Sequence, residues 1–113
     1  FLRDKMLQGT VELLNGCLVS TDVLVRDKAN RILENICADE LLAEEVFDEY
    51  PNLIAHMFAT MTPEGSLNET FNVKKSCLIG LCNLCIVGHE SNVTRILIKR
   101  GILQLFSEKL RDY

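Results

Sequence analysis

Apolar positions recur every three to four residues along almost the whole chain, the spacing of helices that bury one face. The series run Thr10, Val11, Leu13, Leu14, Leu18; then Val25, Ala29, Ile32, Leu33, Ile36; then Leu41, Leu42, Val46, Phe47; then Leu53, Ile54, Met57, Phe58, Met61. After a break come Val73, Cys77, Gly80 or Leu81, and Leu84, followed by Val93, Ile96, Leu97 and by Ile102, Leu103, Leu105, Phe106, Leu110. Polar residues separate the series. Residues 1–8 read as the tail of a helix, and Gly9 opens the next, which ends at Ser20-Thr21. Asp22 is placed to cap a helix over 22–38, and Asp39 to cap another whose carboxylates come early, where the helix dipole favours them. Pro51 ends that helix and is acceptable in the first turn of its successor. The stretch 62–70, TPEGSLNET, reads as the one real loop. A helix from 71 ends at Gly88, and two short ones over 92–100 and 101–112 complete the chain.

The series repeat one another. With Asn35 laid on Asn83, Val25 falls on Val73, Ala29 on Cys77, Leu33 on Leu81, Ile36 on Leu84 and Cys37 on Cys85, a separation of 48 residues. With Gly9 laid on Gly101, Val11 falls on Leu103, Leu13 on Leu105, Leu14 on Phe106 and Leu18 on Leu110. A helical self-similarity of this period is the signature of a stacked superhelix.

Composition narrows the function classes. The 12 basic and 16 acidic residues give a net charge of −4, which argues against nonspecific nucleic-acid binding. The acids Asp39, Glu40, Glu44, Glu45, Asp48 and Glu49 cluster, and Lys99, Arg100, Lys109 and Arg111 lie near the C-terminus. Both clusters read as solvated helix faces, with docking of a charged partner as the alternative. The longest uncharged apolar run, 76–88, is shorter than the roughly 18 to 20 residues that span a bilayer, so a soluble chain with no membrane partner is expected. The sequence opens without Met or a signal peptide and reads as a piece of a longer protein. Its 5 cysteines are odd in number, and four sit in apolar helical positions, which points to a reducing, intracellular compartment, cytoplasmic or nuclear.

No catalytic constellation can be assembled. Cys82-Asn-Leu-Cys85 has the C-x-x-C spacing, but zinc sites commonly use two such pairs, and redox pairs sit at a helix N-terminus, whereas this one falls in the last turns. Core packing is the reading for these thiols, and a surface or flanking position for His56 and His89. No metal and no cofactor are expected. Asn68-Glu-Thr and Asn92-Val-Thr match the glycosylation sequon, which in this setting reads as chance.

The pattern Val73-(x)3-Cys77-(x)3-Leu81-x-Asn83-Leu84, with its earlier copy Val25, Ala29, Leu33, Asn35, Ile36, resembles the third helix of the armadillo repeat, a three-helix unit of about 42 residues. The segment 92–100 followed by Gly101-Ile102-Leu103 is similar to that family's short first helix and the glycine before its second. The related two-helix HEAT arrangement is the alternative. The order over the chain is second helix, third, first, second, third, first, second. Pro51-Asn52 replaces the expected glycine, implying a sharper corner, and the longer period places an insertion at 62–70.

The resemblance implies an all-α, right-handed α-α superhelix of about two to three repeats in a single domain over 1–113: a partial repeat over 1–20, a complete one over 21–61, the inserted loop, and a partial one over 71–113. It also implies a concave groove lined by the third helices, where Lys28, Arg31 and Asn35 on one and Lys75, Ile79 and Asn83 on the next hold a partner. A side-chain amide offers a donor and an acceptor together and so matches the backbone of an extended peptide. The alternative for the two asparagines is that they satisfy polar groups within the repeat. Arg31 and Ile79 stand where importin-like members carry a lysine-binding Trp, so binding of nuclear-import signals is not implied. The expected function is a non-enzymatic scaffold for a protein or extended peptide segment of acidic or mixed charge. A structural spacer, or a segment that self-associates through exposed ends, is the alternative.

Overall fold

The computed structural model describes residues 2–62, 69–87 and 92–111. Among these the chain is all-helical: α1 (Leu2–Leu18), α2 (Val23–Ala38), α3 (Glu40–Glu49), α4 (Asn52–Thr60), α5 (Phe71–Val87), α6 (Asn92–Lys99) and α7 (Ile102–Arg111). Most of the expected loop, together with Gly88, His89 and the sequon residue Asn68, lies outside the described residues, as do the side chains of Asn92 and Leu110.

Side-chain caps set three of the helix starts. Asp22 Oδ1 accepts from the backbone N–H of Leu24 at 2.8 Å and of Val25 at 3.4 Å, Asp39 Oδ1 from that of Leu42 at 3.0 Å, and Thr70 Oγ1 from that of Val73 at 3.3 Å. Each oxygen satisfies a donor that the first turn leaves without an intrahelical partner. Between α3 and α4 the bend falls on Tyr50 (φ −125, ψ 63), while Pro51 is already helical (φ −64, ψ −16) and has no side-chain cap. Between α6 and α7 it falls on Gly101, whose φ of +83 is a left-handed value that suits glycine.

The beginning of the chain differs from expectation. Residues 1–8 and the helix after Gly9 were expected as two elements, but α1 runs unbroken from Leu2 to Leu18. One glycine costs a helix about 1 kcal/mol relative to alanine, which weakens it without ending it when the following turns are anchored by buried side chains. Val11, Leu14 and Leu18 supply that anchor. Gly9 and Gly101 therefore match in sequence but not in conformation.

The molecule is a slab of 45 × 36 × 18 Å. Its thin dimension is close to two helix diameters, so the helices lie in about two layers. One cluster forms the core, with Phe47, Leu53, Ile54, Met57, Leu81 and Leu84 fully buried. At its centre is α5, which packs most extensively on α2 and also against α3, α4 and α6. This explains why α5 is apolar around much of its circumference while α6 and α7 are strongly one-sided.

The seam between α2 and α5 is close. A Cβ on Gly80 would stand 2.7 Å from Met57 Cε, 3.4 Å from Cys37 Sγ and 3.7 Å from Glu34 Cα. The Cys77 thiol donates to Asn30 Oδ1 at 3.2 Å, and Asn30 Nδ2 donates to the Arg26 carbonyl at 2.8 Å. A buried amide is thus satisfied on both sides and fixes one helix against the other. The Arg26 guanidinium adds an ion pair to Glu69 (Nε to Oε2, 3.1 Å) and donates from Nη1 to the Ser20 carbonyl at 2.8 Å. It ties the beginning of α5 to the beginning of α2.

Candidate partner-binding site

Two grooves flank the exposed ridge of α2. The first runs between α2 and α5, has a volume of about 350 Å³, and is lined by Asp27, Arg31, Glu34, Asn72, Lys75, Ser76 and Ile79. The positions follow from helical spacing: Asp27, Arg31 and Glu34 recur at i, i+4 and i+7 on α2, and Asn72, Lys75, Ser76 and Ile79 at matching intervals on α5. Two cations and two carboxylates share this space. Asp27 Oδ1 is buried and has no hydrogen-bond partner among the described residues. A buried carboxylate oxygen without a donor is costly.

The second groove runs between α1 and α2, has a volume of about 360 Å³, and is lined by Thr10, Leu13, Leu14, Cys17, Leu24, Val25, Lys28, Ala29 and Ile32. It is almost wholly apolar. Leu13 and Leu24 are each 70% exposed and Ile32 is 52% exposed. Val25 and Ile32, expected on the buried face of their helix, are therefore open to solvent, and Asn30 and Cys37 take buried places instead. Helical spacing identifies an apolar face without showing whether anything covers it.

Of the six residues read from sequence as a partner-binding line, Arg31, Lys75 and Ile79 come together in the polar groove. Lys28 lines the apolar one. Asn35 is exposed and Asn83 half-buried, and neither lines either groove. Among the described residues neither amide makes a side-chain hydrogen bond. The residues the sequence reading did not single out are Asp27, Glu34, Asn72 and Ser76, which complete the polar groove, and Asn30, which bonds α2 to α5. A polar residue at the centre of an otherwise apolar face was the available signal for Asn30.

The thiols and the described histidine show what burial does. Cys77 is pushed up to about 12, first by burial, and Cys37 is pushed well above the ordinary thiol range by burial and by its neighbours Cys77 and Glu34. Burial also raises Cys82 and Cys85, so the C-x-x-C pair stays protonated at neutral pH, opposite to the depressed values of thiol catalysts. Burial lowers His56, while the nearby Glu69 acts in the other direction. Among the described residues no cluster of His, Cys, Asp and Glu could hold a metal ion, and no helix is long and apolar enough to cross a membrane.

No family model, no curated protein and no solved structure matches the chain.

Proposed function

We propose that this chain is a segment of a right-handed superhelix of armadillo or HEAT type and serves, without catalysis, as an intracellular scaffold. A stretch of a partner protein lies along the polar groove between α2 and α5. The observation that carries this reading is the groove itself, where Arg31 and Lys75 stand opposite in charge to Asp27 and Glu34. A segment of mixed charge fits such a lining better than a purely acidic one, because both signs then find a counterpart.

The repetition supports the superhelix. Helices α2 and α5 begin 48 positions apart, their capping residues Asp22 and Thr70 have the same spacing, and so do the first-turn bonds from Arg26 N to Asp22 O and from Lys74 N to Thr70 O, both 3.1 Å. The intracellular assignment rests on 5 free thiols, two of them buried. The test is capture of partners from a cell lysate on the immobilised chain, with identification of what is retained. A partner held by the wild type and by the Asn35→Ala, Asn83→Ala pair, whose residues lie outside the groove, and lost from the Arg31→Glu, Lys75→Glu pair, supports the groove. Equal capture by all three sinks it.

A further inference from the structure

The charges that line the groove between α2 and α5 stand in a definite order and are not used up within the molecule. Asp27 and Arg31 are four residues apart on α2, and Arg31 and Glu34 three apart, spacings at which opposite charges on a helix ordinarily meet. Yet among the described residues none of these three, nor Lys75 on α5, makes an ion pair. Arg26, one residue before Asp27, is by contrast paired with Glu69. The four charges of the lining are open to a partner.

Contacts across the seam set their sequence along the groove. Asn30 bonds Cys77, and a Cβ on Gly80 would stand 3.7 Å from Glu34 Cα, so α2 and α5 run in the same direction, with Asn30 level with Cys77 and Glu34 with Gly80. Lys75 then falls between the levels of Asp27 and Arg31. From the start of α2 onward the lining is acidic at Asp27, basic at Lys75 and Arg31, and acidic again at Glu34. At about 1.5 Å per residue the two acids are roughly 10 Å apart.

We propose that the groove selects an extended partner segment by its order of charge, basic-x-acidic-x-basic. One carboxylate lies between Arg31 and Lys75, and a cationic side chain stands beside each of Asp27 and Glu34. This rests on the reading of this groove as the partner-binding site and adds its rule of selection. In an extended chain every second side chain points the same way, about 6.8 Å from the last, so charges at alternate positions face the groove together. The outer two are then about 13 Å apart at the backbone, and the flexible stem of a lysine takes up the difference. Asn72 and Ser76 offer donors and acceptors to the N–H and C=O groups that an extended segment leaves unbonded. Order decides rather than net charge because the lining holds two acids and two bases, so a segment of one sign loses at one level what it gains at the next.

The probes are two peptides of one composition, blocked at both ends: Ser-Lys-Ser-Glu-Ser-Lys-Ser and Ser-Lys-Ser-Lys-Ser-Glu-Ser. Each is titrated into the full chain at low salt and followed by NMR chemical shifts. Only the first sets an acid between two bases, and it should bind at least about threefold more tightly, the effect of one further exposed ion pair. Arg31→Gln, Lys75→Gln should remove the preference. Both residues are exposed, so the fold is kept, and circular dichroism checks this. Equal affinity of the two peptides, a preference that survives the double substitution, or no binding by either overturns selection by charge order. A lysate partner lost from the Arg31→Glu, Lys75→Glu pair would then leave the groove as the binding site and remove only its rule of selection.

Discussion

The two sides of α2 are made by similar means and end differently. Toward α5, small residues let the backbones approach until a Cβ on Gly80 would stand 3.4 Å from Cys37 Sγ, and a buried amide, Asn30, bonds the two helices beneath a polar rim. Toward α1, larger side chains, Leu13, Leu24 and Ile32, spread the surface and remain uncovered. The closed side depends on close fit and the open side on lacking a neighbour. A substitution of the same size should therefore act strongly on stability at the closed side and weakly at the open one.

The largest contrast is expected between Gly80→Leu and Ile32→Asp, which change equivalent positions of the two helices. Gly80→Leu drives its side chain onto Met57 of α4 and Cys37 of α2 and should lower the unfolding free energy by about 3 kcal/mol, read from the urea midpoint. Ile32→Asp, on the open face, should stay within about 0.5 kcal/mol of the wild type. Similar losses from both would mean that the α1–α2 groove is closed in solution.

A smaller effect is expected at Asn30. Asn30→Ala removes the acceptor of the Cys77 thiol and the donor to the Arg26 carbonyl, and should cost about 1 to 2 kcal/mol by the same measurement. An unchanged midpoint would show that water replaces the amide and that the seam is looser than these distances imply.

The mildest effect is one of pH. Burial lowers the folded His56 below its ordinary 6.5, so the unfolded chain takes up a proton more readily. Its contribution is present in full above that value and is lost as pH falls through 6.5 toward the folded value. The slope of stability against pH in this window should flatten in His56→Gln. A slope unchanged by the substitution would mean that other groups carry it.

Much of this was legible in the sequence, for reasons that separate periodic from pairwise information. Helix existence and order followed from apolar spacing, and caps from Asp22 and Asp39, because these are local chemistry. The division of α1 at Gly9 was misread, since whether a glycine ends a helix depends on what its neighbours bury. Gly101, which does sit in a turn, carries the same letter. The groove residues Arg31, Lys75 and Ile79 were placed together by the resemblance to the armadillo third helix. Asp27 and Glu34 were not, because their membership depends on which flank of α2 faces α5. Lys28 is turned to the other groove for the same reason. Exposure of Val25 and Ile32 was beyond any periodicity argument, which gives the apolar face and not its cover.

The most direct measurement is parallel capture from lysate on wild type, on the Arg31→Glu, Lys75→Glu pair and on Ile32→Asp, with quantitative identification of the retained proteins. The polar groove predicts one set of losses: a mixed-charge partner released by the first variant and kept by Ile32→Asp. Identical retention on all three surfaces would contradict a partner-binding role for the groove between α2 and α5.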